Sequence, residues 1–139
     1  MGFFNDEAVI IQKIVDKWGV NNPIVPTPHL NYANIQDNKP DNAIWARVTI
    51  QGGNRVPLSS TNRSTQGVGS IIFQIFIPLH QDIKYGLMLA DHISDIFDSL
   101  NLGDSVWTDA TKIEQIGVDA NTWYQINTTT IFHSIHKKC

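Results

Sequence analysis

Residues 67–100 constrain this chain more than any other stretch. They begin as Gly-Val-Gly-Ser-Ile-Ile-Phe-Gln-Ile-Phe-Ile-Pro. Side chains two apart lie on the same face of an extended strand, so Ile71, Phe73, Ile75 and Ile77 make one wholly apolar face, and Ser70, Ile72, Gln74 and Phe76 a mixed one. Such a strand belongs in a sheet covered on one side and partly covered on the other. Pro78 lacks the amide that would continue the ladder and stops the strand. A helix follows almost at once. With Asp82 as its N-cap, Gly86, Leu89, Ala90, Ile93, Ile96, Phe97 and Leu100 form an apolar stripe, opposite Lys84, Asp91, His92, Asp95 and Asp98. A strand feeding directly into an amphipathic helix predicts a helix lying across a sheet.

The segments on either side extend the same pattern. Asn5 is a candidate N-cap for a helix with Ala8, Ile10, Ile11, Ile14, Val15 and Trp18 on its apolar face, ending at Gly19. Pro23, Pro26, Pro28 and Pro40 make residues 20–43 an extended connection, with a short edge strand expected around Pro28 to Asn34. Ala43 to Ile50 alternates as a strand. The polar run Gln51 to Gln66 carries two of the three arginines and no acid, and is expected to be a long, solvated hairpin loop. Asn101 to Asp109 reads as a turn region, followed by strands over Thr111 to Val118 and Thr122 to Ile135, with residues 136–139 a loose tail. The expected fold is one α+β domain over residues 1–139, a mostly antiparallel sheet of about four to five strands with two helices packed on it.

Composition narrows the function classes. A net charge of -3 gives no general pull towards nucleic acid or acidic membranes, and no run approaches the length of a membrane helix. The one cysteine, Cys139, leaves no intrachain disulfide to form. His133, His136 and Cys139 are zinc-ligand types, but crowded into one chain end without a second pair they read as tail rather than site. Asp91, His92, Asp95 and Asp98 have the residue types of acid/base catalysis, yet on an amphipathic helix they fall on the solvent face. Gly52-Gly53 and Gly67-Val-Gly69 lack phosphate-loop spacing and read as hairpin hinges. Trp45, Trp123 and Tyr124 read as core or interface anchors. No catalytic, cofactor or metal set emerges, and the chain reads as a non-enzyme.

One order of segments carries a family likeness. An N-terminal helix is followed by Trp45-Ala-Arg47-Val48, the polar loop and Gly67-x-Gly-x-Ile-x-Phe73-x-Ile75-x-Ile77-Pro78. Then come the helix Leu89-Ala90-Asp91-x-Ile93-x-x-Ile96-Phe97 and a last strand opened by Trp123-Tyr124-Gln125. From about Glu7 to Ile135 this resembles the tail terminator, or tail completion, proteins of tailed bacteriophages, the lambda-type terminators and their prophage relatives. The resemblance implies a structural virion protein of the tail or neck, assembled in the host cytoplasm. It would form a ring, hexameric in the family, that caps the tail tube, stops its polymerisation and receives the head-side connector.

The partners so implied are other copies of the chain, the tail tube protein, the connector or stopper protein and, where a tail has one, the sheath protein. Contact with DNA passing through the channel would be incidental, and no membrane is involved. Within that reading Arg55, Leu58 and Arg63 on the polar loop are the candidate subunit or tube contacts, because an arginine fork pairs readily with carboxylates and backbone oxygens. Asp91, Asp95 and Asp98 are their candidate acidic complement on a neighbour. Two alternatives remain open from the residues alone: a different neck or head-tail connector protein of similar size, and, more remotely, a small soluble enzyme.

Overall fold

The computed structural model describes residues 3–24, 27–32, 43–57, 64–103, 106–119 and 123–137. Helix α1 spans Phe3–Lys17. It is followed by β1 (His29–Tyr32), β2 (Trp45–Pro57), β3 (Ser64–Pro78), helix α2 (Ile83–Phe97), β4 (Asn101–Gly103), β5 (Val106–Asp119) and β6 (Trp123–Lys137). The strands form one six-stranded sheet in the order β1-β2-β3-β6-β5-β4. Every pairing is antiparallel except β1 with β2, so the sheet is mixed. The α+β class and the two helices agree with the sequence reading. The strand count is higher than expected, because β4 is too short to show any periodicity and starts inside what reads as a turn.

The central strand behaves as its alternation requires. Ile71, Phe73, Ile75 and Ile77 are buried beneath both helices, in one cluster with Ala46 and Val48 of β2, Ile10 and Ile14 of α1, and Leu89, Ile93 and Phe97 of α2. Asp82 caps α2 by accepting the Lys84 amide at 3.0 Å. Gly86 lets that helix approach the sheet, since a Cβ there would run into the Ile77 side chain. On the opposite sheet face Trp45 stacks on Phe76, with centroids 4.4 Å apart, and meets Trp123 edge-on at 6.3 Å, forming a second, smaller cluster.

Trp18 joins four elements. Its ring stacks on Phe73 at 5.9 Å and 4°, its Nε1 donates to the Pro28 carbonyl at 2.9 Å, and its own carbonyl accepts from His92 Nε2 at 3.0 Å. His92 is therefore buried, where the helical wheel puts it on the polar side. The wheel treats α2 as having one covered face, but α1 also packs against its flank and brings the Trp18 carbonyl, which also accepts from Asn22 Nδ2 at 2.9 Å, within reach of the ring. In turn α1 buries a narrower stripe than expected: Ile10, Ile14 and Trp18 are covered, whereas Val15 is 63% exposed. This helix begins earlier than Asn5, at Phe3, which places Asp6 inside its first turn. There the buried Asp6 carboxylate accepts from Ser134 Oγ of β6 at 2.8 Å.

The polar stretch Gln51 to Gln66 is not one long loop. β2 continues to Pro57 and β3 starts at Ser64, with Asn54 opposite Val68 and Pro57 opposite Thr65, past a register shift between Gln51 and Asn54. The residues there are polar on both faces, so no alternation announces a strand, yet β3 lies between β2 and β6 and has its backbone paired on both sides. Gly67 and Gly69 are accordingly not hinges but positions within β3: Ser134 Oγ lies 2.8 Å from where a Gly67 Cβ would be, and the Phe132 ring lies over Gly69. The expected loose tail is likewise corrected in part. His136 pairs with Thr65 and Lys137 with Ser64, extending β6 to Lys137.

Candidate assembly surfaces

Both helices cover the same sheet face, and among the described residues no element covers the other. That second face carries the aromatic cluster at one end. The Arg47 guanidinium sits 5.6 Å from the ring centres of both Trp45 and Phe76, capping them with a charge that keeps contact with water. Arg47 and Gln74 oppose one another on adjacent strands, with Thr49 and Ile72 the next row on the same face. Asn127 and Glu114 continue the Arg47 row, and Thr129 and Lys112 the next. The centre of the face is thus a half-buried mixture of amides, threonines and opposite charges, the composition of a surface that meets water or another polar protein surface.

The six residues expected to make contacts separate into three groups. Arg55 lies in the paired part of β2, opposite Gly67, so it is held by a sheet rather than carried on a loop. Leu58 and Arg63 lie outside the described residues. Asp91 and Asp95 are exposed on α2, and among the described residues neither takes an intrachain ion pair. Asp98 is exposed too, but it is committed within the chain: its Oδ1 accepts the Thr111 amide at 2.6 Å, and its own amide donates to the Ser94 carbonyl at 2.7 Å. It ends α2 and ties that end to β5.

His133 has a structural partner as well. Its ring stacks on Trp107 at 5.4 Å and its Nε2 meets Asp109 at 2.8 Å, on the outer part of the sheet. Among the described residues no cluster of His, Cys, Asp and Glu has the proximity of a metal site. A cleft of about 390 Å³ between the helices is lined by Lys13, Lys17, Asn21, His92 and Asp95. The His92 Nε2 there is already engaged with the Trp18 carbonyl. No helix in the described residues is long and apolar enough to cross a membrane.

Sequence reasoning missed His92 as a buried bridge and β4 with the start of β5 as strands. It also missed the strand edges of β2 and β5 that the short β1 and β4 leave without a partner among the described residues. The first signal was absent because nothing local marks a histidine for burial. The second and third belong to pairing, which a single strand's sequence does not encode.

No family model and no curated protein matches the chain. Solved structures do match. One, a protein that carries no functional name, superposes with a TM-score of 0.69 at 11% identity, covering 100% of this chain and 99% of that one. At that identity the likeness is one of fold, which by itself assigns no activity. The architecture is therefore an α+β domain in which two helices cover one face of a mixed six-stranded sheet.

Proposed function

We propose that this chain is a ring-forming structural protein of a phage tail, a terminator that caps the tail tube and presents a docking face to the head-side connector. The observation that carries the reading is the sheet itself, with helices on one face only among the described residues and a β2–β3 pairing that extends well beyond the β1 pairing. A subunit of this kind has a rigid helix-covered side and leaves a face and an arm for neighbours. The segment order that resembles the tail terminators gives that geometry its context. Self-assembly brings subunits into register, the tail tube protein meets one side of the ring and the connector the other. Arg55 in β2 and Arg63, which lies outside the described residues, are the proposed cationic contacts, with Asp91 and Asp95 of a neighbour their acidic complement. Asp98 drops out of that set because its carboxylate already serves Thr111.

Mass-resolved size exclusion across concentrations, with negative-stain images in the presence and absence of assembled tail tubes, tests the proposal. A closed ring of six copies, or a monomer driven into six-fold rings at tube ends, is the expected result. A chain that stays monomeric at high concentration and ignores tube ends overturns it. Reversing Arg55 and Arg63 to Glu is expected to weaken the assembly; an unchanged ring removes the arm contact while leaving the ring.

A further inference from the structure

The two sides of the sheet are each left half covered, at opposite ends. On one side β4 pairs only with the start of β5, through Asn101 with Trp107 and Gly103 with Val106. The α2–β4 connection then occupies β5 as far as Thr111: the Thr108 amide donates to the Leu100 carbonyl, the Ser99 amide to the Asp109 carbonyl, and Asp98 takes the Thr111 amide. From Lys112 to Val118 no described element pairs with the outer edge of β5. On the other side β1 pairs only with Trp45 to Val48, and no described strand continues along β2 from Thr49 to Pro57.

Lys112, Glu114 and a register shift between Gln115 and Gly117 blunt this β5 edge in part, yet they leave apolar side chains exposed between them. Ile113, Ile116 and Val118 are 38%, 49% and 58% exposed, β-branched side chains on a strand that β6 pairs on one side and no described element pairs on the other. A strand edge without a partner offers its amides and carbonyls as a template for another strand. From these edges we infer that the outer edge of β5, residues 112–118, pairs antiparallel with residues 49–57 of β2 in a second copy, joining neighbouring sheets into one continuous ladder. This rests on the proposed self-assembly and specifies its joint.

Three features select a second copy as the occupant. Among the described residues the chain carries two strand edges without a partner, one on β5 and one on β2. The strand directions fit, because β2 and β5 run oppositely within the sheet, so a neighbour placed alongside in the same orientation sets them antiparallel. The offset also fits a closed ring. The middle of the β5 run, Gln115, lies in line with Ile126 and Ile75, whereas the middle of the β2 run lies beside Gly69, six residues along β3. Matching the two runs therefore slides neighbours by about 20 Å, across four strand spacings of about 19 Å in all. That corresponds to strands tilted by roughly 45° to the ring axis, within the range by which tilted sheets close into barrels. The slide also keeps β1 and β4 clear of each other.

The test uses the full chain in two forms. Ile116→Lys with Val118→Lys places charges on exposed positions of the edge. The expected result is a monomer with unchanged circular dichroism and thermal unfolding and at least a tenfold weaker association by native mass spectrometry. Separately, a Cys139→Ser chain carrying Glu114→Cys and Asn54→Cys is oxidised; the expected result is a ladder of disulfide-linked oligomers. A ring that forms as tightly with the lysines, or that leaves the cysteines unlinked, overturns the edge joint while leaving the ring. Linked dimers from Glu114→Cys alone would mean β5 pairs with β5 about a two-fold axis and overturn it too. A wild-type chain that never associates takes away the ring and the joint together.

Discussion

Replacing Gly86 by alanine sets two effects of opposite sign against each other. In an isolated helix the change removes backbone freedom from the unfolded chain and is worth about 1 kcal/mol of added stability. In this fold Gly86 faces the sheet, and an added methyl would collide with the Ile77 Cδ1, lie 2.9 Å from its Cγ1 and 3.0 Å from Ile126 Cδ1. Ile77 and Ile126 are themselves fully buried, so neither side chain has open space to retreat into. Inserting a methyl into such a core costs about 1–3 kcal/mol. The net expectation is a loss of up to about 2 kcal/mol, read as a lower urea midpoint with an unchanged slope.

Ile77→Val removes the colliding Cδ1 and by itself costs about 0.5–1.5 kcal/mol. In the Gly86→Ala background its cost should shrink or vanish, giving a favourable coupling of about 1 kcal/mol in the double-mutant cycle. The assay is equilibrium urea unfolding followed by tryptophan fluorescence on all four chains. A Gly86→Ala chain about 1 kcal/mol more stable than wild type, or strictly additive double-mutant losses, would refute the close approach of α2 to β3.

Further tests probe the remaining contacts. His92→Ala removes one of the two donors to the Trp18 carbonyl, Asn22 Nδ2 remaining at 2.9 Å, and leaves a cavity between the helices, so a loss of about 1–2 kcal/mol is expected in the same urea assay; a loss below 0.5 kcal/mol would contradict the bridge. Asp98→Ala should destabilise by about 1 kcal/mol because the Thr111 amide loses its acceptor, whereas Asp91→Asn and Asp95→Asn should stay within about 0.5 kcal/mol and show their effect, if the assembly reading holds, in ring formation alone. Burial holds the Tyr32 phenol above its ordinary value of 10.0. The folded chain therefore keeps that proton where the unfolded chain has begun to release it, so the contribution is complete below the unfolded value and falls as pH rises through the folded one. Tyr32→Phe should flatten the loss of stability above pH ~10, measured as urea midpoints at stepped pH.

The strand-to-helix unit was legible because its signals are local. Strict alternation from Ile71 to Ile77, a donor-less Pro78, a capping Asp82 and a periodic stripe through Phe97 each act within a few residues, and the structure keeps all of them. The short edge strand near Pro28 was legible from its prolines for the same reason. Of the contact set, the exposure of Asp91 and Asp95 followed from the helical wheel, because α2 presents that face to solvent.

Long-range pairing set the rest. His92 is buried because Trp18, at the end of another helix, brings a carbonyl to it. The described parts of the run from Gln51 to Gln66 become strand because residues 51–57 pair with β3 and Ser64 to Gln66 pair with the distant β6, Thr65 with His136. Asp98 looks like a free surface acid until β5 returns to place the Thr111 amide beside it. Glycines read as hinges are in fact clearances for Ser134 and Phe132. Periodicity reports which face of an element is apolar; which backbone edge is paired, which is left open and which side chain meets a distant carbonyl depend on contacts between segments far apart in the chain, and their free energy appears only once those segments meet.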